Sequence, residues 1–157
     1  MASAYDRLAD VLRALEAESV AYVLFGGQAV NAHGIMRFTG DIDLFVDPTP
    51  DNVERLRRAL RRVWNDPDID DIRVEDLAGE YAVVRYGTPD DFAIDLTARI
   101  GDAFAYGDVE HQPLVVAGVP ARVATPRMLY RMKKGTARPH DRADAAELRR
   151  RFGLEDE

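Results

Sequence analysis

The chain has 157 residues, of which 46% are hydrophobic and 31% charged, with a formal net charge of −7. That length suits one domain, residues 1–157, with a substantial core, and the acidic balance argues against a generic nucleic-acid coat. The absence of cysteine excludes disulfides, zinc–thiolate centres and thiol catalysis.

No apolar run approaches the roughly 18–20 residues of a membrane span. The first residues also lack a signal peptide's hydrophobic segment. A cytoplasmic protein without membrane contact is the expectation.

In chain order, residues 4–18 predict an amphipathic helix, with Leu8, Val11, Leu12 and Leu15 on one stripe. Val20 to Phe25 reads as a buried strand that ends at Gly26-Gly27. Gln28 to His33 suits a short helix, with Gly34 placed to end it. Asp41 to Val46 is the next strand. Thr49-Pro50 then supplies a cap and a first-turn proline for a helix that turns Val53, Leu56, Leu60 and Val63 inward.

Residues 65–71 read as a loop and Ile72–Val74 as a short strand. Glu80–Tyr86 and Phe92–Thr97 are stronger strands, separated by the turn Gly87-Thr88-Pro89-Asp90. Leu114–Val116 and Ala121–Val123 suggest a hairpin around residues 117–120. Thr125-Pro126 opens a helix to about Lys134, and Arg138-Pro139 precedes a last helix to about Phe152. The helices of residues 126–152 are expected to pack on the core of the domain. The order is mixed: an α/β (α+β) fold with a mixed sheet flanked by helices.

The chemistry concentrates at Asp41-Ile42-Asp43-Leu44. Strand side chains alternate faces, so Asp41 and Asp43 point one way while Ile42 and Leu44 point into the core. Two adjacent carboxylates repel each other. They make sense around a divalent cation such as Mg²⁺, which takes carboxylate oxygens and is completed by substrate phosphates. Gly26-Gly27 offers a tight turn whose N–H groups can face phosphate.

A two-metal phosphoryl-transfer site needs a further carboxylate. Asp95, in Ala93-Ile94-Asp95-Leu96, faces away from Ile94 and Leu96. Alone it would read as a solvent-facing strand residue; beside the other two it completes a triad. Arg37, in the preceding loop, could contact a phosphate, and Gln28 and Asn31 could line the short helix. His33, His111 and His140 have no metal-ligand spacing. Trp64, Tyr106 and Tyr130 read as packing residues. Charge is uneven: residues 122–151 hold ten Lys or Arg against three Asp or Glu, a balance that suits a phosphate-rich substrate, although most of these arginines read as solvated helix faces.

Gly26-Gly27, then Asp41-Ile42-Asp43, then Asp95 on its own strand resembles the signature of minimal nucleotidyltransferases with a DNA-polymerase-β-like core. The run Gly26-Gly27-Gln28-Ala29-Val30, His33-Gly34, Arg37, Thr39 and Asp41-Ile42-Asp43-Leu44 is similar to the AbiEii-like branch, which includes toxins of bacterial toxin–antitoxin systems. Met132-Lys133, Arg138-Pro139, Asp141 and Asp144 resemble that branch's C-terminal motif.

The resemblance implies that Gly26 and Gly27 hold the triphosphate of an NTP through backbone N–H groups. It implies two Mg²⁺ ions on Asp41, Asp43 and Asp95, with Asp95 also a general base. Lys133 matches a lysine that steadies the triphosphate. Asp141 and Asp144, three apart and so on one helix face, match acidic residues near the nucleotide. Many members carry Gly-Ser where this chain has Gly26-Gly27, and a lysine where it has His140.

The implied function is Mg²⁺-dependent transfer of a nucleoside monophosphate from an NTP to a hydroxyl of a tRNA or a cognate protein. Alternatives are a small antibiotic-modifying nucleotidyltransferase and a non-catalytic nucleotide- or partner-binding module. Oligomeric state is not legible in the chain.

Overall fold

A computed structural model of the protein describes residues 1–134 and 138–154. The expected helical stretch 126–152 therefore includes three positions outside the described residues.

Helix α1, Ala4–Ala17, starts at a capping box: the Ser3 side chain accepts from the Asp6 N–H while the Asp6 carboxylate accepts from the Ser3 N–H. Its stripe of Leu8, Val11, Leu12 and Leu15 is fully buried. Strand β1, Tyr22–Phe25, runs directly into helix α2, Gly26–Ala32. The two glycines thus form the first turn of the short helix, two residues earlier than the spacing predicts.

Strand β2, Ile42–Val46, follows, and Thr49 caps helix α3, Pro50–Val63, by accepting from the Asn52 N–H. Helices α1 and α3 pack against each other.

Residues 67–77 hold two 3₁₀ turns, Pro67–Asp71 and Val74–Leu77, and the expected strand at Ile72–Val74 is absent. Ile69, Ile72 and Leu77 are isolated pegs buried in the core. With no neighbouring strand to pair with, single buried side chains are satisfied by turns. Strand β3, Val83–Gly87, begins three residues later than predicted, because its partner β4, Ala93–Thr97, pairs only as far as Val83 opposite Thr97. A small hairpin of β5, Arg99–Ile100, and β6, Phe104–Ala105, was not foreseen.

Strands β7, His111–Val116, and β8, Val119–Ala124, are longer than the sequence suggests. Their turn is only Ala117-Gly118, both with positive φ, a geometry that follows the twist of paired strands. Pro120, read as a turn residue, lies inside β8. β8 meets β1 at Val123, so Pro120 has only β7 beside it and its missing N–H costs no central hydrogen bond. Helices α4, Pro126–Lys133, and α5, Pro139–Phe152, pack together, and α4 also meets α2.

Among the described residues, six strands form one mixed sheet in the order β3-β4-β2-β1-β8-β7. The pairs β2–β4 and β1–β8 are parallel and the others antiparallel. The five helices flank it, and none is long and apolar enough to cross a membrane.

Candidate active site

The sheet register writes the site. Phe25 on β1 lies opposite Asp43 on β2, Asp43 opposite Asp95 on β4, and Asp95 opposite Arg85 on β3. Directly paired residues project to one face, so Asp43, Asp95 and Arg85 share it. Asp41 is two residues before Asp43 and on the same side. All four line one cavity of about 530 Å³, with Gly26 and Gly27 at its wall.

Each aspartate is held differently. Asp41 Oδ1 accepts from the Ala93 N–H at 2.9 Å, and its Oδ2 accepts from Arg85 at 3.1 Å. Asp95 receives the other arm of the Arg85 guanidinium, at 3.0 and 3.2 Å from its two oxygens. No donor among the described residues hydrogen-bonds to Asp43.

Burial, then repulsion from Asp95 and Asp41, pushes the Asp43 carboxyl up to about 6; Lys133 and Arg138 pull against the shift. Burial also raises Asp95, with Arg85 opposing and Asp41 adding to the rise. The same two carboxylates make Arg85 hold its proton more firmly.

The glycines are required by close approach. Gly26 has φ +66, and a Cβ there would stand 2.1 Å from Asp43 Oδ2. The backbone must be bare for the carboxylate to lie against it. A Cβ on Gly27 would stand 2.8 Å from both Cβ and Oγ1 of Thr39. The Thr39 hydroxyl donates to the Asp41 carbonyl at 3.4 Å. No side chain caps α2, so its first-turn N–H groups keep their capacity to donate.

The basic residues form a connected cluster. Lys133 Nζ lies 3.0 Å from Asp141 Oδ1 and 3.2 Å from Asp144 Oδ2, and only 8% of Lys133 is exposed. Arg138 pairs with Asp141 at 2.6 Å, and Arg37 pairs with Asp144. Lys133, Asp141, Arg37 and Arg138 line the cavity, whereas Asp144 sits behind them. The spacing of Asp141 and Asp144 does place both on one face of α5, where they converge on Lys133.

Sequence reasoning missed Arg85 and Arg138 as cavity residues and passed over Thr39 as a site residue. His33 and His111 bond to backbone carbonyls of Ala124 and Val109, and His140 lies 3.6 Å from Asp141. Gln28 is buried and donates to the Asp41 carbonyl at 3.4 Å, and Asn31 accepts from the Arg37 N–H. Trp64 packs edge-on to Tyr86 and Phe92.

A larger, more apolar cavity of about 670 Å³ adjoins the first through Arg37–Gly40. Of its carboxylates, Asp90 and Asp91, the former is tied up by the Ala2 N–H, Arg7 and Trp64.

Among the described residues no three carboxylate or imidazole side chains stand together as a ready-made metal cage. Arg85 holds two of the three aspartates. The donor set itself fits a hard divalent cation. It is anionic and all oxygen, and it contains one carboxylate, Asp43, that is disfavoured as an anion until a cation arrives.

No curated protein is similar enough in sequence to match this chain. Among solved structures, an antigenic nucleotidyltransferase-like protein from Paracoccidioides brasiliensis is similar at TM-score 0.53 and 14% identity, over 92% of this chain and 75% of that one. JHP933 from Helicobacter pylori gives TM-score 0.49 and 17% identity, over 92% of this chain and 64% of its own. At such identities the first likeness speaks for the fold alone, and the second carries no argument. The model of the nucleotidyltransferase AbiEii toxins of type IV toxin–antitoxin systems matches residues 10–123. That span contains Gly26, Gly27, Asp41, Asp43, Arg85 and Asp95, and the chain therefore belongs to the AbiEii family of nucleotidyltransferases.

Proposed function

We propose that this nucleotidyltransferase moves a nucleoside monophosphate from an NTP to a hydroxyl of a tRNA or a protein, using two Mg²⁺ ions held by Asp41, Asp43 and Asp95. The acceptor oxygen bonds to the α-phosphorus, the α–β bridge breaks and pyrophosphate leaves. Mg²⁺ would supply charge neutralisation on the transferring and leaving phosphates. Asp95, whose burial favours its protonated form, takes the acceptor's proton. The first-turn N–H groups at Gly26 and Gly27 hold phosphate oxygens. Lys133 and Arg37 face the triphosphate's charge, and Asp141 and Asp144 keep both cations in position.

The observation that carries this reading is the pairing of Asp43 with Asp95 across β2 and β4, with Asp41 and a bare glycine backbone lining the same cavity. The family's membership in toxin–antitoxin systems supports a macromolecular acceptor. The test incubates the protein with Mg²⁺, each labelled NTP, and tRNA or protein lysate, beside Asp43→Ala. Label transferred by the wild type and lost in the variant supports the mechanism; equal labelling by both rejects it.

One observation favours a second reading, a non-catalytic nucleotide- or partner-binding module: Arg85 already satisfies Asp41 and Asp95. NTP binding without transfer to any acceptor would favour that module.

A further inference from the structure

Arg85 belongs to β3, at the edge of the sheet. Its side chain is 63% exposed, yet the guanidinium ends on Asp95 and Asp41 rather than in solvent. An ion pair with one exposed partner contributes little to folding, because water already solvates the guanidinium. A fold has small need of this contact.

Its local effect is larger. One fixed positive charge within 3.2 Å of two carboxylates weakens the field that would draw a cation to them. A guanidinium and a divalent ion also compete for the same oxygen lone pairs and repel each other. Each therefore weakens the other's hold on Asp41 and Asp95.

A triphosphate changes that competition. Its oxygens match the planar fork of arginine at least as well as a carboxylate does, and Arg85 stands at the wall of the cavity that contains the glycine turn.

We propose that Arg85 is an exchangeable counter-ion: it holds Asp41 and Asp95 until a nucleotide draws it onto phosphate, and the carboxylates then become free to take the metal. Metal alone therefore binds weakly, and nucleotide makes room for it. This inference rests on the metal-dependent reading above and adds a positioning residue to it.

The test uses the full chain as wild type, R85M and R85K, with folding checked by circular dichroism. Free Mn²⁺ is followed by electron paramagnetic resonance without nucleotide. A non-hydrolysable NTP analogue is titrated calorimetrically in EDTA.

Without nucleotide, R85M is expected to bind Mn²⁺ about tenfold or more tightly than wild type, and R85K to stay near wild type because it keeps the charge. In EDTA, R85M is expected to bind the analogue about fivefold or more weakly. Equal Mn²⁺ affinity in wild type and R85M, or unchanged analogue affinity, overturns the role of Arg85 and leaves the metal-dependent reading standing. No Mn²⁺ binding by either folded protein, with or without the analogue, overturns both.

Discussion

At Gly26 one added methyl group would strike the Asp43 carboxylate, and the positive φ would strain any L side chain. Gly26→Ala should therefore cost on the order of 1–2 kcal/mol of stability and also abolish nucleotidyl transfer, since Asp43 must move. Urea titration beside the labelling assay checks both. Asp43 itself carries a cost that shows in pH. Its folded pKa is raised from 3.8 to about 6, so the folded state binds the proton more tightly than the unfolded chain. The penalty is full above pH 6 and disappears as pH falls towards 4. In metal-free buffer, Asp43→Asn should stabilise the protein at pH 7.5 by on the order of 3 kcal/mol and change little at pH 4. Melting curves at the two pH values test the sign, and a variant less stable than wild type at pH 7.5 would contradict the burial argument.

Two elements depend on polar groups that cannot be lost cheaply. Asn52, in the first turn of α3, is 3% exposed. It accepts from the Ala21 N–H and donates to the carbonyls of Ala21 and Asp47, tying the helix to the start of β1 and the end of β2. Asn52→Leu takes this partner from the Ala21 N–H and the Asp47 carbonyl, while the Ala21 carbonyl keeps the Asp47 N–H, and should cost about 2–3 kcal/mol in a denaturant melt. Lys133 on α4 is the other case. Replacing it with methionine leaves Asp141, 1% exposed, short of a cation and should cost about 3 kcal/mol. These elements were legible to different degrees. The caps Thr49-Pro50 and Thr125-Pro126 mark helix starts because their chemistry is local. The boundaries of β3, β7 and β8 were not legible, because a strand runs only as far as its partner does.

Over the whole molecule the same distinction holds for the site. Asp41, Asp43 and Asp95 stand out because alternation along each strand is a local rule. Arg85 does not, since Val83-Val84-Arg85-Tyr86 reads as an ordinary edge strand with its arginine in water. Only the pairing of Arg85 with Asp95 across β3 and β4 puts it in the cavity. The basic excess of residues 122–151 has a similar limit: composition shows it, but not that Lys133, Arg138 and Arg37 are already committed to Asp141 and Asp144. If the acceptor is tRNA, labelling should fall roughly tenfold or more between 50 and 200 mM salt; salt-insensitive labelling would point to a small acceptor instead.

The row of paired residues from Phe25 to Arg85 has a mechanical corollary. Its inner members ride on central strands, where amide protons exchange only when much of the molecule opens, whereas Arg85 rides on an outermost one that frays first. Hydrogen–deuterium exchange should accordingly find the amides of Leu44 and Leu96 among the slowest and those of β3 markedly faster. The counter-ion would then be hinged to an outer rim of an otherwise stiff platform, free to swing while the carboxylates stay put.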